Sequence, residues 1–134
     1  MDRKRKQLPV RELIGMVLLL ALLVTGLLVS YGAAGHHQAL ARDMADAAWY
    51  ALNQDWDRAG QLTAGSSARW QENWKRWAMV ADQRPMTEID AGFSQLSIYA
   101  AARDPVQYAA CCRELSRRLQ LLADSSRPGW WNLL

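Results

Sequence analysis

Four groups of residues in this 134-residue chain could do chemistry, and each also has a plainer structural reading. His36 and His37 are adjacent. A helix turns successive side chains roughly 100° apart, so the two rings cannot ligate one ion without outside help. Placed directly after an apolar run, they read as solvated interfacial residues rather than as a metal or pH-sensing site. Cys111 and Cys112 are the only cysteines. A disulfide between such neighbours would be strained, so one reads as a buried small residue and the other as a boundary residue. The sharper alternative is an intermolecular disulfide across a homodimer, which an extracytoplasmic location would permit. Glu88 and Asp90 stand two apart, and Glu72 lies near Trp74 and Lys75. Paired carboxylates can do acid–base work, but no histidine or nucleophile motif accompanies these. Asp55, Glu88, Asp90 and Asp104 all fall at the starts of helical segments, where capping and the helix dipole account for them. The fourth group is the tryptophans: 49, 56, 70, 74, 77, 130 and 131. Such rings stack on sugars or anchor in partner pockets. Trp70, Trp74 and Trp77 share one helical face, however, and read as core. Trp130 and Trp131 lie in a terminal tail after Pro128-Gly129, where a contact with a partner or a lipid surface is as plausible as docking on the domain.

No phosphate-binding loop, dinucleotide fingerprint, zinc-ligand spacing or serine elbow is present, so the chain reads as a non-enzyme with no cofactor and no metal. Charge narrows the partners. Arg3, Lys4, Arg5, Lys6 and Arg11 face only Asp2 and Glu12, so residues 1–12 hold the whole formal +3. From Gly35 onward basic and acidic residues balance. A nucleic-acid binder would show a basic stripe on its folded part, and none is evident.

These residues need elements to hold them. Leu13–Val29 is apolar except for Gly15, Thr25 and Gly26, and extends through Ser30, Tyr31 and Ala34. About 20 such residues span ~30 Å of hydrocarbon as a helix. The basic stub before the run and the single Arg42 in the dozen positions after it orient the N-terminus to the cytoplasm. The rival is a signal peptide cleaved near Gly32-Ala33-Ala34, giving a secreted protein; the apolar stretch is long for one.

Beyond the run, the pattern predicts four helical segments and no strand. Residues 38–52 carry a stripe of Leu40, Met44, Ala47, Ala48, Ala51 and Leu52. After Asn53-Gln54-Asp55, the positions Trp56, Ala59, Thr63, Trp70, Trp74, Trp77 and Ala81 form a seam, with Gly65-Ser66-Ser67 a place for a kink. Asp82-Gln83-Arg84-Pro85 then reads as a stop and Thr87 as the next N-cap, before a face of Ile89, Phe93, Leu96 and Ala100. Asp104-Pro105 opens the last segment, in which Val106, Ala109, Cys112, Leu115 or Ser116, Leu119 and Leu122 repeat at three and four. The expectation is an all-α protein: a transmembrane helix and a small antiparallel bundle, with tetratricopeptide-like hairpins as the alternative. The divisions are a cytoplasmic stub 1–12, a span 13–34, an extracytoplasmic bundle 35–124 and a tail 125–134.

With these landmarks laid out, nearly the whole chain resembles the family catalogued as domain of unknown function 4363, short membrane-anchored proteins chiefly of Gram-positive bacteria. The likeness rests on the anchor, Asn53-x-Asp55-Trp56-x-x-Ala59 and Trp70-x-x-x-Trp74-x-x-Trp77. It continues through Glu88-Ile89-Asp90 with Phe93 and Leu96, then Asp104, then Asn132-Leu133-Leu134. Two places depart from it. The family has a histidine shortly before Glu-Ile-Asp, where this chain reads Gln83-Arg84-Pro85-Met86, and a charged continuous helix where it has Gly65-Ser66-Ser67. The resemblance implies a structural role for Asp55, Trp56, Trp70, Trp74, Trp77, Glu88, Asp90 and Phe93, and no assigned activity. The expected function is that of a membrane-anchored accessory protein, with the bilayer and a membrane or envelope protein as partners. Trp130, Trp131, Asn132 and Leu134 are its candidate contacts. The alternative is a ligand sensor or cell-wall binder using exposed tryptophans.

Overall fold

The computed structural model describes residues 10–77 and 83–126, and these hold four helices and no strand: α1 Val10–Leu52, α2 Trp56–Trp77, α3 Gln83–Ala101 and α4 Pro105–Ser125. The side chain of Trp77 and the tail with Trp130, Trp131, Asn132 and Leu134 lie outside the described residues.

Two regimes of burial divide α1. Its large apolar residues from Val10 to Val29 are all exposed, and the helix is long and apolar enough to cross a membrane. From Ala34 onward the same helix enters a core. Ala34, Ala41 and Ala48 step by seven, as do His37, Met44 and Ala51, and all six are buried together with Leu40 and Ala47. Steps of three and four along a helix place residues on one stripe. The sequence reading expected a separate helix over 38–52; instead the apolar run and the first bundle helix are one unbroken element. Gly32 and Gly35 meet nothing that would bend it.

The other helices pack around that stripe in up-down-up-down order. The most extensive packing joins the first and last helices, α1 with α4, and the thinnest joins α2 with α3. Closure of first on last makes a bundle rather than an open pair of tetratricopeptide-like hairpins. Small residues allow the close approach of α1 and α4: Ala41, Ala47, Ala48 and Ala51 oppose a helix that buries Ala109, Cys112, Ser116 and Ala123. The Ser116 hydroxyl donates to the Ala41 carbonyl at 2.8 Å across that seam. On the other side of α4, a Cβ on Gly92 of α3 would lie 2.5 Å from Leu115 Cδ2, so any other residue there forces the Leu115 side chain to shift.

The turns follow from their residues. Gln54 and Arg103 adopt positive φ, each just before an aspartate that caps the next helix. The Arg58 amide donates to Asp55 Oδ1 at 3.3 Å, and the Gln107 amide to Asp104 Oδ1 at 3.1 Å with Pro105 opening α4. The expected break over Asp82-Gln83-Arg84-Pro85 falls partly, with Ala81 and Asp82, outside the described residues; α3 already includes Gln83, and Pro85 sits in its first turn, where a missing amide hydrogen leaves no bond unmade. Thr87 is consequently inside the helix, its hydroxyl donating to the Gln83 carbonyl at 2.9 Å, and is not an N-cap. The interruption that Gly65-Ser66-Ser67 allowed does not occur: α2 runs through these residues as one helix. Ser66 fills the seam position between Thr63 and Trp70 and is fully buried.

Candidate functional site at the foot of the bundle

The antiparallel course of α2 along α1 determines what meets at the end of the bundle nearest the apolar run. Ser66 and Arg69 lie level with Asp43, Trp70 with His37, and Asn73 and Arg76 with residues 28–36. The last turns of α2 therefore descend beside the end of the apolar run. Between them lies a recess of about 390 Å³ lined by Leu28, Val29, Gly32, Ala33, His36, Asn73 and Arg76. An adjoining lobe of about 170 Å³ shares His36, Asn73 and Arg76 and adds Arg69 and Glu72. One end of the recess is thus apolar and the other polar, with both signs of charge.

His36 and His37 form the back of this site, which corrects the reading of solvated residues. His37 is 7% exposed, one heptad below Met44, and its ring stands 6.1 Å from that of buried Trp70. The two histidine rings are edge-on at 5.9 Å. Burial, then the neighbouring His36, lowers the His37 pKa below 6.5. Burial, then Arg69, lowers that of His36, with Glu72 opposing. Both rings are therefore held neutral. Three buried polar atoms here have no hydrogen-bond partner: His36 Nε2, His37 Nδ1 and Trp70 Nε1. A buried polar group left unpaired costs roughly 1–3 kcal/mol, and of these three residues only His36 also lines the recess. The signal was present in the sequence. A seven-residue step back from Ala51 and Met44 lands on His37, whereas the expected stripe began at Leu40.

The charges around the recess differ in commitment. Arg69 is engaged by Asp43 and by the Gly65 carbonyl. Arg76 and Glu72 form a looser pair at 3.5 Å, each side chain 73% exposed. An ion pair that open is worth about 0–1 kcal/mol and rearranges readily.

The remaining described candidates sit in the core or in contacts between helices. Trp70 is buried and Trp74 half-buried against the core. Trp56 stands edge-on to Tyr108 at 5.3 Å, beneath the Arg103 guanidinium. The Tyr108 hydroxyl donates to Thr63 Oγ1 at 2.9 Å, and burial pushes its pKa up to about 12. Glu88 and Asp90 face opposite neighbours: Glu88 pairs with Arg118 of α4, and Asp90 accepts from Gln71 of α2 at 3.1 Å. Spaced two apart on a helix they do not converge, so they cannot act as one acid–base pair. Phe93 belongs to the core, as does Cys112, whose thiol is pushed up to about 12 by burial. Cys111 is half-buried with its sulfur 3.5 Å from the Gly92 carbonyl. That division is the one expected of the pair, and an intermolecular disulfide through Cys112 has no access. Among the described residues, no three metal-ligating side chains gather.

No protein-family model, curated protein or solved structure matches the chain, so the functional reading rests on its own geometry.

Proposed function

We propose that this chain is a membrane-anchored, non-enzymatic accessory protein. In this reading residues 13–34 span the bilayer, residues 1–12 stay in the cytoplasm, and the bundle meets a membrane or envelope protein on the other side. The observation that carries it is the continuity of α1, which passes from fully exposed apolar surface into the bundle core without a break. The helical course of Gly32-Ala33-Ala34, with Ala34 buried, also favours an anchor over a cleaved signal peptide. Proteases need extended chain, and this segment is helix.

The tryptophans favour a docking module over an aromatic ligand platform. Of the four described rings, Trp70 is buried, Trp56 and Trp74 are half-buried, and Trp49 alone is exposed. Four of the five exposed large apolar residues of the bundle lie toward its far end, Trp49 and Leu52 on α1, Ile98 on α3 and Val106 on α4; the fifth, Leu121, lies near the other end of α4. Photo-crosslinking residues placed at Ile98 and Val106 in cells should capture one defined membrane or envelope protein. A C-terminal phosphatase fusion, active only outside the cytoplasm, checks orientation; an inactive fusion would overturn it.

A further inference from the structure

We propose that the recess between α1 and α2 seats one glycerophospholipid whose headgroup carries both a phosphate and an ammonium group. The proposal rests on the reading that residues 13–34 cross the membrane. If they do, the recess lies where hydrocarbon gives way to headgroups. Leu28 and His36 are eight residues apart, about 12 Å along the helix. That length compares with the headgroup layer of a leaflet, roughly 5–8 Å, plus the first carbons beneath it.

Its lining changes character over the same distance. Leu28 and Val29 offer apolar contact, and Gly32 and Ala33 leave room for chain and glycerol. His36, Asn73 and Arg76 follow, then Arg69 and Glu72. Arginine donors in a fork suit phosphate oxygens. Glu72 beside Arg76 argues against a headgroup that is only anionic, because its carboxylate would face the added negative charge. An ammonium removes that conflict by lying on Glu72 while the phosphate lies on Arg76, two opposed dipoles side by side. The loose Arg76–Glu72 pair can open to admit them. Beside it, His36 contributes its ring to the lining of the recess. A lobe of about 390 Å³ falls within the ~300–1,000 Å³ of ligand pockets.

The test uses the full chain in nanodiscs of equal parts phosphatidylethanolamine, phosphatidylcholine and phosphatidylglycerol, released for native mass spectrometry. One phosphatidylethanolamine should be retained about tenfold over either competitor, the scale of one charge-assisted hydrogen bond. Gly32→Leu, whose added side chain starts into open space, should fill the recess and abolish retention while the thermal melt is unchanged. Glu72→Gln should erase the preference over phosphatidylglycerol. Equal retention of all three lipids, a preference for phosphatidylglycerol, or retention that survives Gly32→Leu would overturn the proposal. Alkaline carbonate extraction separates the two readings. A chain that stays in the membrane pellet without lipid preference sinks only the lipid site, whereas a chain released by carbonate sinks the anchor and the site with it.

Discussion

His37 is the residue whose placement has the largest consequence outside the membrane run. Its ring is buried between α1 and α2, beside His36 on its own helix and Trp70 across from it, with Arg69 and Glu72 reaching His36 from α2. The folded state lowers its pKa, while the unfolded chain titrates near 6.5. Below that value the unfolded chain binds a proton that the folded chain refuses. Stability is therefore full above pH 6.5 and falls as the pH drops below it, until the folded-state pKa is reached. Melting followed between pH 7.5 and 5.5 should show a falling midpoint, and His37→Leu should flatten most of that slope. A midpoint that rises on acidification would show that His37 is paired, not merely buried. Gly92 makes a second residue-scale prediction. Alanine gains roughly 1 kcal/mol in a free helix, but here its Cβ would lie 2.5 Å from Leu115 Cδ2, so that buried side chain would have to shift. Gly92→Ala should lower stability by about 1–3 kcal/mol by chemical denaturation, and Leu115→Ala should partly relieve the clash.

At the scale of elements, the helices were legible because period and punctuation agree. Asp55 and Asp104 cap where the residue types say they should, and the alanine-rich stripe of α1 faces the core. Two errors share one cause, which is reading polar or small residues as interruptions. Gly65-Ser66-Ser67 looks like a break, yet α2 must pass close to α1, and a serine at the crossing is what allows that. Pro85 looks like a stop, but only structure shows on which side of a proline the helix lies. The recess was invisible for a different reason: it joins residues 28–36 to 69–76, and no local pattern says which turns of two helices are level. Adjacent positions in α2 should consequently respond with opposite sign. Gly65 is exposed with open space around it, so Gly65→Ala should stabilise by up to about 1 kcal/mol. Ser66 has no exposed surface, so Ser66→Leu should destabilise by about 1–3 kcal/mol through overpacking. Denaturant midpoints of the two variants decide it; equal shifts would contradict the close crossing.

The whole molecule divides its work along α1. Every buried residue of that helix lies at or beyond Ala34, so the apolar run contributes exposed surface and nothing to the core. The bundle should then fold without its anchor. A chain beginning at Gly32 keeps Ala34, His37 and the full alanine stripe, and also the turns at 53–55 and 101–104 that tie the helices together. It should be helical by circular dichroism and melt in one transition. Its midpoint should lie within about 4–8 °C of the full chain in detergent, the shift that ~1 kcal/mol produces in a domain this size. Charge adds a second expectation. The stub carries the whole formal +3, so the truncated bundle is balanced near neutrality and should be least soluble there. Loss of helicity on truncation would mean that the continuity of α1 serves folding. Retention would mean that the apolar run adds nothing to folding, which leaves the proposed anchor only the task of placing the bundle.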